Sequence, residues 1–109
     1  MSYWNHADVI NAYFQSPNRL EGSYSRNVHL ACGIIDAVCA REKENDMVVL
    51  EFKTNLDKKA LGQLLIYQYY FSYQYRIPIS RVKMACVYHS EDPVLTPVFL
   101  ANGIMLLQV

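Results

Sequence analysis

The sequence lacks any long hydrophobic run, and its apolar stretches are too short and too closely flanked by polar residues to cross a bilayer. It also lacks low-complexity tracts, internal repeats and Pro-, Gly- or Ser-rich segments, which excludes a repeat protein and an interdomain linker. No basic segment followed by an apolar one stands near the amino terminus, so we expect no secretory signal. These absences predict a soluble, cytoplasmic protein with no membrane partner, and a single domain over residues 1–109.

Cysteines are few: the chain has three, at irregular spacing and without a CxxC pair or a histidine cluster. This argues against a disulfide framework and against a zinc site, and it favours an intracellular, reduced protein. No charge excess is present either, because ten Lys and Arg balance ten Asp and Glu. A neutral chain is untypical of a nucleic-acid-binding protein. Residues 51–83, however, carry six Lys or Arg against Glu51 and Asp57, which indicates either a phosphate-steering surface or a solvated helix start followed by a polar loop.

What the chain does have is 52% apolar residues, enough to bury one modest core. Their spacing predicts a helix that ends at Ser16, a strand over 28–40 bent at Gly33, a strand over 47–54, a helix over 55–75, a strand over 82–88, a short helix over 93–101 and a last strand over 104–109. An additional strand before residue 28 is also compatible with the pattern. This order of helices and strands is typical of an α/β fold.

Two opposite charges interrupt the apolar strand over 47–54. Because side chains alternate along a strand, Glu51 and Lys53 point to one face, whereas Leu50 and Phe52 point to the other. Two buried ions without partners would cost several kcal/mol each, so this face requires a metal ion, an ion pair or an exposed strand end. On the first helix, Asp8 could face the same metal, or it could belong to a solvated polar stripe.

The helix over 55–75 is predicted to begin with Asn55 as its cap and Asp57 in its first turn. Helical spacing gives it a polar stripe able to overhang the Glu51 and Lys53 face, made of Gln63, Tyr67, Tyr70 and Gln74. A second face should pack on the sheet and contains Leu61, Leu64, Leu65 and Phe71. The third face contains Ile66, Tyr69 and Tyr73, and it is either a homodimer surface or simply the tyrosine-covered exterior of the helix.

One motif combines these features. Gly33-Ile34-Ile35-Asp36 is followed, fifteen residues after its aspartate, by Glu51-Phe52-Lys53, and then by Gln63 and Tyr67. This GxxD…ExK…QxxxY pattern resembles the PD-(D/E)xK, or restriction-endonuclease-like, nuclease superfamily, and most closely its RecB-like and archaeal structure-specific endonuclease branches. The resemblance implies one α/β domain with a central mixed β-sheet of four to five strands flanked by helices. It also implies a metal-dependent hydrolase of phosphodiester bonds.

By this resemblance, Asp36 and Glu51 bind Mg²⁺ or Mn²⁺, and the backbone carbonyl of Phe52 is a further ligand. Lys53 positions and activates the attacking water. Gln63 and Tyr67 orient the metal site or contact the substrate backbone. Beside this catalytic set, the candidate nucleic-acid-binding residues are Lys58, Lys59, Tyr70 and Arg76.

The sequence departs from the superfamily pattern at two places. Ile35 stands where the proline of the family name is found, and the first helix has only Asp8 where many members have a glutamate ligand. The second departure implies weaker metal binding or one ion instead of two. Our leading hypothesis is a Mg²⁺-dependent DNA nuclease, a structure-selective endonuclease that acts as a homodimer through the 55–75 helix, with RNA as the other possible substrate.

Two alternatives to an active nuclease follow from the same residues. One is a non-catalytic nucleic-acid-binding or assembly protein that retains the nuclease fold, which the missing helix glutamate and the neutral charge favour. The other is an unrelated α/β domain in which Glu51 and Lys53 form an ion pair.

Overall fold

Five β-strands and three α-helices make up residues 3–109, the part of the chain described by the structure, which is a computed structural model. In chain order they are α1 (His6–Gln15), β1 (Ser23–Leu30), β2 (Gly33–Arg41), β3 (Asp46–Asn55), α2 (Lys58–Tyr75), β4 (Val82–Ser90), α3 (Thr96–Ala101) and β5 (Ile104–Gln108). A short 3-10 turn over Ile79–Arg81 leads into β4.

The strands form one mixed sheet in the order β1-β2-β3-β4-β5. Neighbouring strands from β1 to β3 are antiparallel, whereas β3, β4 and β5 are parallel to one another. The parallel strands are joined by α2 and α3, because a parallel connection needs a crossover segment. This is an α/β domain with a five-stranded mixed sheet flanked by helices, as the sequence predicted.

Each face of the sheet carries its own hydrophobic cluster. One lies under α1 and contains Val9, Tyr13, Ala37, Cys39, Val48, Leu50, Phe52, Ala85 and Val87. The other lies under α2 and α3 and includes Ile35, Val38, Val49, Leu64, Tyr67, Phe71, Met84, Cys86 and Phe99. Central strand β3 supplies Val48 and Leu50 to the first cluster and Val49 to the second, which explains why its sequence is apolar on both sides.

The region over 28–40 is a hairpin and not the single bent strand that its apolar pattern suggested. Strands β1 and β2 pair from Ser23↔Ala40 to Leu30↔Gly33, and Ala31 and Cys32 form the turn between them. Neither turn residue is among the Asn, Asp and Gly residues that mark tight hairpins, so the sequence carried no turn signal there. Since β1 begins at Ser23, the additional early strand that the pattern allowed is present.

Helix α2 begins three residues later than the sequence indicated. Asn55 is the last residue of β3, and the N-cap is Asp57, whose Oδ1 accepts a hydrogen bond from the Ala60 amide at 2.7 Å. Its inner face matches the prediction for Leu64 and Phe71, but Leu65 is 37% exposed.

None of the helices in residues 3–109 has both the length and the apolar character needed to span a membrane.

Candidate active site

The candidate site lies where β2 and β3 separate. Their register runs from Arg41↔Asp46 to Ala37↔Leu50 and stops before Asp36, although β3 continues beside β4 to Asn55. The Asp36 carboxylate replaces the missing backbone acceptor, because its Oδ2 accepts a hydrogen bond from the Phe52 amide at 2.9 Å. The Asp36 amide in turn points to Glu51 Oε1 at 3.4 Å. The two strand sequences are therefore joined here by carboxylates instead of by a backbone ladder.

A shift in side-chain alternation places Asp36 at this position. Ile35 belongs to the cluster under α2 and Ala37 to the cluster under α1, although residues two apart in a regular strand share a face. In β1, Asn27 lies opposite Asp36 and has a φ of 52°, a left-handed conformation that asparagine tolerates better than most residues. Both strands of the hairpin therefore change faces at the same level.

The separation opens a cleft of about 550 Å³. It brings together six residues that the sequence pattern singled out: Asp36, Glu51, Phe52, Lys53, Gln63 and Tyr67. The start of α1 completes one wall, since its N-cap Asn5 and its first residue His6 also line the cleft. The GxxD…ExK…QxxxY residues thus converge on one opening at the end of the sheet.

Glu51 is the most deeply buried acid of the cleft, with 5% of its surface exposed. Burial raises the pKa of its carboxyl to about 7, and the negative charge of Asp36 adds to this effect. The Asp36 amide and the Lys53 ammonium act in the opposite direction and only partly offset it. A desolvated carboxylate next to a second carboxylate is an arrangement that a bound cation would stabilise.

Lys53 forms its ion pair with Asp57 and not with Glu51. Its Nζ lies 3.7 Å from Asp57 Oδ2, and its side chain is 23% exposed. No ion pair within residues 3–109 includes Glu51, so the strand-end pair between Glu51 and Lys53 is absent there. The cap residue of α2 therefore holds the ammonium at the edge of the cleft.

Helix α2 contributes Gln63 and Tyr67. Gln63 Oε1 is buried and has no hydrogen-bond partner among residues 3–109, which leaves a polar atom available beside the cleft. The pKa of Tyr67 is raised by burial and by the charge of Glu51. Its hydroxyl lies against Gly33, where a Cβ would approach it to 2.9 Å and where φ is 154°. The glycine of the GxxD motif is therefore required both by its backbone conformation and by the tyrosine of the QxxxY motif.

Asp8 does not reach the cleft. Its Oδ2 accepts a hydrogen bond from the Asn5 amide at 2.9 Å, and its own amide donates to Asn5 Oδ1 at 2.9 Å, so the two residues form a capping box. Asp8 therefore caps α1 and is not among the residues that line the cleft, and its predicted role as a metal ligand stays a prediction. The cap residue followed three positions later by an acid was the sequence signal for this arrangement.

The α1 side of the cleft carries His6, which the sequence pattern did not single out. Its Nε2 lies 3.4 Å from Asp36 Oδ2. The preceding Trp4 is stacked on His89, with ring centres 3.8 Å apart and planes 6° from parallel. Because no spacing rule relates residue 6 to residue 36, this contact was not predictable from the sequence.

The four nucleic-acid-binding candidates lie outside the cleft wall. Lys58 and Lys59 are exposed in the first turn of α2, directly after Asp57, which does line the cleft. Tyr70 is 43% exposed, so the predicted polar stripe reaches the cleft only through Gln63 and Tyr67. Arg76 is the C-cap of α2, at the far end of a helix about 27 Å long by its rise per residue.

A hard divalent cation fits the donor set of the cleft. Within residues 3–109, no three His, Cys, Asp or Glu side chains converge as ligands. The donors are thus the carboxylates of Asp36 and Glu51 and the nearby carbonyl of Phe52. Mg²⁺ prefers oxygen ligands, retains several waters and is commonly held by one or two carboxylates, so this set suits Mg²⁺ and does not suit zinc.

Each carboxylate has one oxygen engaged by the protein. Oδ2 of Asp36 accepts from Phe52 and contacts His6, while Oε1 of Glu51 is the oxygen that faces the Asp36 amide. The described part of the chain provides no hydrogen bond to Asp36 Oδ1 or Glu51 Oε2. The engaged oxygens orient the two groups, and the other two remain available to a ligand.

A scan against protein-family models finds no match, and a search of curated proteins finds no relative. Three solved structures are similar. A repair endonuclease from Pyrococcus abyssi superposes with a TM-score of 0.76 at 20% identity, over 100% of this chain and 48% of its own. EndoMS bound to double-stranded DNA gives 0.73 at 20% identity, over 94% and 43%, and apo EndoMS gives 0.66 at 17%, over 100% and 48%. This chain spans less than half the length of each, and the likeness establishes that it shares their fold over that part.

Proposed function

We propose that this domain is a Mg²⁺- or Mn²⁺-dependent DNA nuclease of the PD-(D/E)xK superfamily, an endonuclease that selects DNA by its structure. The observation that carries the proposal is the convergence of Asp36, Glu51 and Lys53 in one cleft where β2 and β3 separate. The shared fold supports it, since the similar structures are named as endonucleases and one of them holds double-stranded DNA.

Asp36, Glu51 and the Phe52 carbonyl would hold the ion, which when bound supplies a Lewis acid for the phosphate and lowers the pKa of a coordinated water. The protein supplies the geometry. Asp36 is fixed by the Phe52 amide, and Lys53 is held by Asp57 at the cleft edge, where its ammonium can stabilise charge on the phosphate. Gln63 Oε1 can accept a hydrogen bond from the attacking water.

Cleavage by a Lys53→Ala variant tests the proposal. Removing a fixed charge that stabilises the transition state commonly lowers the rate by about 10²–10³-fold, so we expect cleavage to be lost while DNA binding persists. The assay compares single-stranded, duplex, flap and four-way-junction DNA, and one RNA substrate, with Mg²⁺ or Mn²⁺. Lys43→Ala is the control, because it removes one exposed positive charge in the β2–β3 turn. Parent-rate cleavage by Lys53→Ala would contradict the assignment.

We also propose that α2 forms a homodimer. From residue 60 to residue 75 the helix has no charged residue, and its outer face exposes large side chains. Ile66 is 50% exposed, Tyr69 55% and Tyr73 74%, which is a large contiguous apolar surface for a monomer. Sedimentation should show a dimer for the parent and a monomer for Tyr73→Glu; a monomeric parent would contradict this proposal.

The engagement of Asp8 in the capping box of α1 favours one alternative, a non-catalytic nucleic-acid-binding protein with the same fold. Calorimetry with Mg²⁺ separates the two. An active site should give a binding heat that Asp36→Ala abolishes, whereas a degenerate site should give none in the parent.

A further inference from the structure

Arg26 is an ordered cation beside the cleft. It lies on the edge strand β1, and its guanidinium carbon is 5.4 Å from the ring centre of Phe14 and 5.8 Å from that of Phe52. Its Nε donates a hydrogen bond to the main-chain carbonyl of Asp36 at 3.3 Å. The Arg26 side chain is thus bound to Asp36, whose carboxylate lines the cleft. It also packs on Phe52, whose amide donates a hydrogen bond to that carboxylate.

This arginine has no acid partner in residues 3–109. No ion pair there includes Arg26, and its two terminal nitrogens donate to no protein acceptor in that part of the chain. Arg41 shows the contrast, since its guanidinium binds both oxygens of Asp46 at 2.7 Å. Arg26 is exposed, so its free donors face solvent next to the cleft.

An orientation of this kind suits phosphate recognition. Stacking on aromatic rings restricts the rotamers of an arginine and leaves its planar fork of N–H groups pointing outward. Such a fork binds phosphate oxygens in pairs, and little entropy is lost because the side chain is already ordered. Because Nε of Arg26 donates its hydrogen bond to the Asp36 carbonyl, the direction of the two terminal nitrogens is set by this contact.

We propose that Arg26 binds a backbone phosphate of the DNA strand on the α1 side of the cleft. This inference rests on the proposed nuclease function. Lys53 projects from the α2 face of β3, whereas Arg26 lies over rings of the α1 cluster, so the two cations flank Asp36 from opposite sides. A strand whose scissile phosphate lies at Asp36 and Glu51 is then held at a second point, which aligns it across the end of the sheet.

Phe14 is a positioning residue in this arrangement. It belongs to α1, packs against Tyr13, Tyr24 and Phe52, and supplies the closer of the two rings under the guanidinium. A Phe14→Leu variant retains an apolar side chain but loses the aromatic surface. We expect it to weaken DNA binding by a smaller factor than Arg26→Ala does.

The test measures binding of a fluorescein-labelled DNA duplex by anisotropy with Mg²⁺, in the Lys53→Ala background, which is expected to bind without cutting. Between about 50 and 200 mM salt, Arg26→Ala should weaken binding about tenfold and reduce the slope of log affinity against log salt by about one. Arg26→Lys should restore the slope but only part of the affinity, because an ammonium lacks the planar fork. Lys43→Ala, which removes the same charge elsewhere, should change neither.

Three outcomes would overturn the inference. In the first, Arg26→Ala binds as Lys43→Ala does. In the second, Arg26→Ala loses affinity with an unchanged salt slope and a lower unfolding temperature, which identifies a purely structural clamp. In the third, the Lys53→Ala protein binds no DNA, and the proposed function fails as well. Cleavage by the parent protein tests the nuclease assignment separately. If the parent cleaves DNA and the Arg26→Ala variant, with Lys53 intact, has the same KM, this inference is refuted while the nuclease assignment stands.

Discussion

Replacing Glu51 with glutamine should stabilise the metal-free protein at alkaline pH while abolishing the proposed metal-dependent cleavage. Glu51 is buried beside Asp36, and its pKa is raised from 4.5 to about 7. Ionised Glu51 therefore destabilises the folded protein when no cation is bound. Glu51→Gln keeps the shape of the side chain and removes the charge, so it removes that destabilisation together with one of the proposed metal ligands.

The pKa values set the size and the pH range of the effect. Between about pH 4.5 and 7, folded Glu51 keeps a proton that the unfolded chain has lost, so stability falls as pH rises through this range. Above it, the full loss is about 3 kcal/mol. The glutamine amide introduced by Glu51→Gln can leave hydrogen bonds unmade in the buried site, which would cost about 1–2 kcal/mol. The free energy of unfolding of the variant at about pH 8 should therefore exceed that of the parent by about 1–2 kcal/mol.

Thermal unfolding at two pH values measures this gain. For a domain of this size, about 1 kcal/mol changes the unfolding temperature by about 4–8 °C, so Glu51→Gln should unfold at least about 4 °C above the parent at about pH 8. At about pH 4.5 both side chains are largely neutral, and the advantage should disappear. Glu42→Gln is the matched control, since it makes the same change on an exposed carboxylate in the β2–β3 turn.

Mg²⁺ should reverse the order of stability. An ion at about one hundred times its dissociation constant stabilises the folded parent by about 2.7 kcal/mol, whereas Glu51→Gln should gain little. The reasoning is refuted if Glu51→Gln is less stable than the parent at alkaline pH, or if Mg²⁺ raises the unfolding temperature of both proteins equally.

Three further substitutions test the surroundings of the site. Gly33→Ala should lower stability by about 1–3 kcal/mol in urea unfolding and impair cleavage, because its Cβ meets the Tyr67 hydroxyl at 2.9 Å in a left-handed backbone conformation; Gly62→Ala, with open space around it, is the control. Arg41→Ala should cost about 3–5 kcal/mol at neutral pH by leaving buried Asp46 unpaired. Since Arg41 lowers the pKa of Asp46, this difference should shrink as acid protonates Asp46, and a constant difference would contradict the ion-pair explanation. Asp8→Asn should leave the Mg²⁺ binding heat unchanged and slightly destabilise α1; loss of that heat would make Asp8 a ligand.

The sequence predicted the residues that meet in the cleft because their placement follows from local rules. Strand alternation places Glu51 and Lys53 on one face, and helical spacing places Gln63 and Tyr67 on one side of α2. Both rules act within single elements, which the structure forms at nearly the predicted positions. The parallel pairing of β3, β4 and β5 agrees with the predicted alternation of helices and strands.

The features that the sequence did not predict depend on contacts between elements. The reversal of alternation at Asp36 coincides with the left-handed Asn27 on the neighbouring strand β1, and the His6 contact joins residues thirty positions apart in the chain. Arg26 was not predicted as a binding residue, because the orientation of its side chain depends on contacts with two rings, one from α1 and one from β3. Asn55 and Asp57 are both good caps, and only the length of β3 decides between them.

The hydrogen bond from the Phe52 amide to Asp36 affects how related sequences should be interpreted. Since this carboxylate closes the end of the β2–β3 pairing, a homologue without catalytic activity would still need an aspartate at position 36 to satisfy a buried amide. Lys53 has no comparable structural role, because its contact is an ion pair with half-exposed Asp57. If the proposed nuclease function holds, loss of the lysine in homologues should mark the loss of catalysis, whereas retention of the aspartate alone would not indicate activity.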